Sequence, residues 1–291
     1  MMQEPERRIL AGGRERWRHG PIDLVIKAWG APDAVAQAHA NAWTRFQGVL
    51  AELVAELAAL KTPVAAAPGL HGAVARRMLA ACTPFAPAFI TPMAAVAGSV
   101  ADEILRPFLI PGVDRAYVNN GGDIAIHLAP GQTLNIGVIP DLDRPGIDGS
   151  VFLEANGPVR GIATSGWRGR SFSLGIADSV TVLARDAGMA DAAATMIANA
   201  VNIDHPAVKR RPACEIKDDS DLGDRLVTVE VGAFAPAEAA EALARGAEAA
   251  RGFLDRGLID AAALALQAQW RIVGSGFPKP VDAPVPHAIA A

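Results

Sequence analysis

Asp191 and Thr195 stand four residues apart in the run Ala190-Asp191-Ala192-Ala193-Ala194-Thr195. On a helix, that spacing stacks a carboxylate and a hydroxyl one turn apart on the same face. Such a pair makes half of a site for a hard cation. It also suits an acidic first turn that complements the helix dipole, with the threonine inside. A second cluster is Asn120-Gly121-Gly122-Asp123. Paired glycines expose bare backbone to a ligand, and Asp123 can accept bonds from a ribose, an adenine or a ring nitrogen. The same four residues also make a tight hairpin turn. A third cluster is Thr164-Ser165-Gly166, followed by Arg168-Gly169-Arg170. Its N–H groups and two guanidiniums suit a phosphate or pyrophosphate, and they equally suit a solvated loop.

Other chemistries are excluded by spacing. The chain has no GxGxxG, no GxxxxGK[ST] and no GxSxG. The six histidines, at 19, 39, 71, 127, 205 and 287, form no HxH or HxxxH pair. Two cysteines, Cys82 and Cys214, are too few for a disulfide framework.

The elements that must position these clusters are readable from periodicity. Ile22 to Trp29 alternates as a strand, and Pro32-Asp33 opens a long helix to about Leu60. A short helix over Gly72–Cys82 and a small-residue helix from Pro92 to about Phe108 follow. Strands are expected at 117–120, 123–128, 134–139, 151–155, 159–164 and 173–184, then a helix opening on Asp191. Lys209 to Pro212 reads as a basic loop, Leu226 to Val231 as a strand, and 236–254 and 260–269 as alanine-rich helices. Trp270 to Val273 reads as a closing edge strand. Helices and strands come in blocks, which favours an α+β fold over a regular βαβ alternation. We read residues 1–20 as a basic arm, 21–275 as a single domain and 276–291 as a loose proline-rich tail.

With 291 residues, 51% of them hydrophobic, the chain can bury a large core. A net charge of -4 gives no general push toward nucleic acid or anionic membrane. No apolar run reaches spanning length, and the start lacks a signal-peptide core. The expectation is a cytoplasmic protein with a small-molecule ligand, and a second copy of the chain as the one protein partner considered.

Taken in order, five pieces resemble the ApbE superfamily, the FAD:protein FMN transferases: Ala95 to Asp102, Asn120 to Asp123, Ala163 to Gly166, Ser179 to Ala184, and Ala190 to Thr195. The likeness runs from residue 60 to residue 205 and more loosely beyond. It implies an α+β fold of two pseudo-repeated halves related to the T-fold, with a cofactor in the cleft between them. It also implies Mg2+ held by Asp191, Thr195 and the carbonyl of Val96, and FAD against Gly121, Gly122 and Asp123. In the resembling family, a His-x-x-Asp-Pro-x-Thr-Gly loop precedes the Ser-Val-Thr-Val strand. Here that space reads Arg170 to Asp178, and the helix position that is usually lysine is Ala97. The expected activity is a Mg2+-dependent transferase on a flavin or other nucleotide, with Asp123 as base or anchor and Arg168 and Arg170 on the anion. The alternatives are a pterin- or purine-type cofactor-biosynthesis enzyme without flavin, and a non-catalytic binding protein.

Overall fold

A computed structural model describes residues 4–66, 69–138 and 149–277. In chain order it opens with β1 (Glu6–Leu10), β2 (Arg14–His19) and β3 (Ile22–Gly30), then α1 (Pro32–Ala55), α2 (Leu57–Leu60), α3 (Ala73–Cys82) and α4 (Val96–Leu105). Next come β4 (Val113–Asn120), β5 (Asp123–Leu128), β6 (Thr133–Val138), β7 (Gly149–Glu154), β8 (Gly161–Ser165) and β9 (Ser179–Ala184). The chain continues with α5 (Ala187–Ala200), β10 (Val208–Pro212), α6 (Ala213–Ile216), β11 (Leu226–Val231), α7 (Pro236–Asp255), β12 (Ala261–Leu266) and β13 (Gln269–Gly274). Among the described residues, nine strands form one sheet in the order β1-β2-β3-β4-β5-β8-β9-β12-β13. Every neighbouring pair in it runs antiparallel.

Period-two alternation gives the sheet two different faces. The inner face carries Leu24, Ile26, Ala116 and Val118, which pack with Phe46, Val100 and Ile104 of α1 and α4. Farther along, Val180, Val182 and Leu264 pack with α5 and α7 through Ile197, Ala198 and Leu243. On the outer face, the β6–β7 hairpin lays Leu134, Val151 and Leu153 over Ile126, Ile162 and Leu183.

Five expectations are corrected. Residues 6–19 are not a frayed arm but two sheet strands. Trp17 is fully buried, packs edge-on against Trp43 at 5.3 Å, and donates from Nε1 to Glu15 at 2.7 Å. That burial outweighs the solvation of the surrounding arginines. Residues 261–266 form a strand, not a helix. Pairing on both edges, with β9 and β13, overrides the helix propensity of alanine, and small side chains let α7 lie close. Lys209 to Pro212 is not a loop but strand β10, paired with β11. The helix bearing Asp191 begins at Ala187, with Asp186 as its cap accepting from Met189 N–H at 2.7 Å. The strand expected over 173–184 covers only 179–184. Of the expected tail, residues 278–291 lie outside the described residues, as does Ile139 at the end of an expected strand. No helix of the described residues is long and apolar enough to cross a membrane.

Candidate functional site

The two-residue turn between β4 and β5 needs positive φ at both positions, which glycine supplies at +68° and +118°. Its tightness sets Asn120 directly opposite Asp123. Both side chains point to the inner face and are buried. Asn120 Nδ2 donates to the Ala97 carbonyl at 3.1 Å, tying the turn to the start of α4. An Asp123 carboxylate oxygen accepts from Thr164 N–H of β8 at 3.2 Å.

Helices α4 and α5 meet at backbone contact. A Cβ on Gly98 would overlap the Ala187 carbonyl, and a Cβ on Gly188 would press on Ser99 Oγ at 2.9 Å. Each helix then lends the other an acid. Asp191 of α5 accepts from Gly98 N–H at 3.0 Å. Asp102 of α4 accepts from Ala187 N–H at 3.1 Å and Gly188 N–H at 2.8 Å. The unpaired N–H groups of each first turn are thus satisfied across the seam.

These elements enclose one cleft of about 820 Å³, within the range of ligand pockets. Val96, Gly121, Gly122, Asp123, Thr164, Ser165, Gly166, Arg168, Arg170, Asp191 and Thr195 all line it. Of the residues singled out in the sequence, Asn120 alone stands behind the wall. The cleft straddles the end of the sheet, with Asp123 and Asp191 on the inner side and Asn119, Ile124 and Ile162 on the outer.

Burial pushes the Asp123 carboxyl up to about 7. Burial, and next the Asp123 charge, push Asp191 well above the usual carboxylate range. The two acids are therefore near enough to feel each other. Asp102 also rises to about 7, from burial and then the charge of Asp186.

Within the cleft wall the glycines and the Thr-Ser-Gly cluster have distinct surroundings. The Arg170 guanidinium occupies the space where a Gly121 side chain would stand, while nothing lies within 4 Å of a Cβ on Gly122. Gly122 is therefore the bare backbone facing open space. The N–H of Thr164 is committed to Asp123, that of Trp167 to the Ala177 carbonyl at 3.0 Å, and that of Gly169 to the Gly166 carbonyl at 3.1 Å. With these three donors committed, the guanidiniums of Arg168 and Arg170, which line the cleft, are the loop's cationic groups there.

Sequence reasoning missed Asp178, which lines the cleft, forms an ion pair with Arg168 Nε at 3.1 Å, and accepts from Trp167 Nε1 at 3.1 Å and Gln267 N–H at 2.6 Å. It also missed the 217–225 segment. That segment crosses to the far wall through Lys61 with Asp219, Thr91 with Asp221 at 2.5 Å, and Arg225 over Phe89. No spacing links these groups. The twinned Ala97-Gly98…Ala101-Asp102 and Ala187-Gly188…Ala190-Asp191 was a signal for the helix exchange.

Comparison with known proteins places this geometry in a family. The family model described as "AbpE bacteria" matches residues 7–272, and the chain belongs to that family. Similar proteins carry the name UPF0280. That of Methanopyrus kandleri is 34% identical over 211 residues, which is 71% of this chain and 83% of the relative. That of Methanothermobacter thermautotrophicus is 39% identical over 148 residues, 50% of this chain and 56% of the relative. That of Methanothrix thermoacetophila is 39% identical over 116 residues, 40% of this chain and 48% of the relative.

Proposed function

We propose that the cleft binds a ring-bearing, anionic small molecule of the nucleotide type and acts on it, Asp123 serving as the proton-exchanging or anchoring group. The observation that carries this reading is that Asp123 and Asp191 border one cleft whose rim holds Arg168 and Arg170. A carboxyl near 7 offers both a donor and an acceptor to a heterocycle edge at neutral pH. The two guanidiniums match a phosphate or pyrophosphate attached to that ring. Membership of the family and the resemblance to flavin transferases support a flavin nucleotide as the first ligand to try. The two helices that exchange acids, Asp102 and Asp191, also support the reading of two related halves meeting at the cleft.

The donor set fits Mg2+ only in part. Asp191 would hold the ion, with Thr195 and the Val96 carbonyl beside it. Among the described residues no group of three or more His, Cys, Asp or Glu is placed to hold a metal. Such an ion takes the rest of its shell from water and ligand phosphate. When bound it neutralises pyrophosphate charge. Its presence would also relieve the mutual repulsion of Asp123 and Asp191.

The same thin donor set favours a second reading, a pterin- or purine-like ring anchored by Asp123 without metal or flavin. Calorimetric titration with FAD, FMN, a pterin and Mg2+, on wild type and Asp191→Ala, separates the two. Binding of FAD that strengthens with Mg2+ only in the wild type supports the first. A pterin that binds both proteins alike supports the second. Silence of every ligand on wild type rejects both and leaves a fold without this cleft chemistry.

A further inference from the structure

The outer face of β1–β4 carries an excess of positive charge. Alternation places Arg8, Arg14, Arg16, Arg18, Lys27 and Arg115 on it, against the acids Glu6 and Asp23. Register sets Arg8 opposite Arg16. Arg14 neighbours Lys27, because Glu15 pairs with Ile26 and Arg16 with Val25. Like charges in direct cross-strand pairs are unfavourable unless something compensates them. Among the described residues compensation is partial. Asp23 takes Arg16 at 2.8 and 2.5 Å and stands 3.8 Å from Arg18, and Glu6 takes Arg8 at 3.1 Å. Arg14 donates to the Ala11 carbonyl, Arg115 donates to the Thr133 carbonyl, and Lys27 and Arg115 each stand 4.7 Å over the Trp29 ring. None of those last contacts removes a positive charge.

This face runs into the cleft. One row of the sheet reads Arg8, Arg16, Val25, Asn119, Ile124, Ile162, and its last three members line the cleft wall. From Asn119 to Arg16 is two strand spacings, about 10 Å. Arg170 spans the junction, lying over Gly121 and acting electrostatically on both Asp23 outside and Asp123 inside.

We infer that the ligand carries an extended arm of several negative charges, and that this arm leaves the cleft past Arg170 and lies on the arginines of β2. The inference rests on the cleft being the ligand site, and it deepens that reading by naming a polyanionic tail on the ring compound. The shared chemistry is a chain of phosphates or of carboxylates. About three extended residues of a carboxylate chain, or a chain of three phosphates, cover the span.

Calorimetry of the full chain at low ionic strength, with tripolyphosphate, tetraglutamate and pyrophosphate, tests this. The variant is Arg14→Gln/Arg18→Gln, whose side chains are exposed, with thermal unfolding checked to match wild type. The expected result is that one long probe binds at least about tenfold more weakly to the variant, and more weakly still as salt rises. Pyrophosphate, which reaches only Arg168 and Arg170, should bind both proteins alike. A response to tripolyphosphate names a phosphate arm, and a response to tetraglutamate names a carboxylate arm. If neither long probe binds wild type, or both bind the variant equally, the arm is overturned. A flavin or pterin titration on the same samples then shows whether the cleft reading stands without it.

Discussion

Asp123 shows what one side chain inherits from its place. A hairpin turn of two glycines and a backbone bond from Thr164 hold a carboxylate 8% exposed in the cleft wall. Burial penalises the charged form, and the carboxyl rises to about 7. In the unfolded chain it ionises near 4. The folded state therefore binds its proton more tightly, and stability is lost as pH rises between those two values. Asp123→Asn keeps an acceptor for Thr164 N–H and removes the charge. The expected outcome is a higher Tm than wild type at pH 8 and a smaller difference at pH 5, read by calorimetry. Equal differences at both pH values would show that Asp123 is not a buried charge. The acids at 123 and 191 could be picked from the sequence, because glycine pairs and helical spacing are local signals. The commitment of Thr164 N–H and the placing of Arg170 over Gly121 could not, because both depend on where a distant loop folds back.

At the scale of elements, the seam between α4 and α5 organises the site. Glycine at 98 lets the helices touch, and the acids at 102 and 191 satisfy each other's first turn. Asp102→Ala leaves the N–H groups of Ala187 and Gly188 buried without partners. The expected loss is about 1–3 kcal/mol of unfolding free energy in urea titration, with partial recovery in Asp102→Asn, which restores an acceptor. A variant as stable as wild type would reduce the exchange to a coincidence of packing. Long amphipathic elements such as α1 and α7 were legible because their own periodicity fixes which side faces the core. The strand at 261–266 was not, since an unbroken run of four alanines and two leucines carries no polar alternation and only its neighbours decide. Strands β1 and β2 were hidden for a related reason: five arginines masked the alternation of Trp17 and His19.

For the whole molecule, burying three acids at the junction of two helical clusters links the site to global stability. Asp102, Asp123 and Asp191 all rise above the usual carboxylate range through burial, and the α4–α5 seam that holds two of them joins the cores on either side. All three favour the protonated form in the fold, so their contributions share one sign. Stability should fall as pH climbs from about 4 toward 7, giving a Tm at pH 5 above that at pH 8. A divalent cation reverses this only if it binds the ionised pair. Mg2+ at a hundred times its dissociation constant would add about 2.7 kcal/mol at pH 8, and almost nothing at pH 5, where protons hold the same oxygens. Thermal scans of wild type and Asp191→Asn with and without Mg2+ read this out directly. A rise at pH 8 in the wild type alone places the cation at Asp191. An identical rise in the variant, or none in either protein, removes magnesium from Asp191 and leaves protons alone to balance the buried acids.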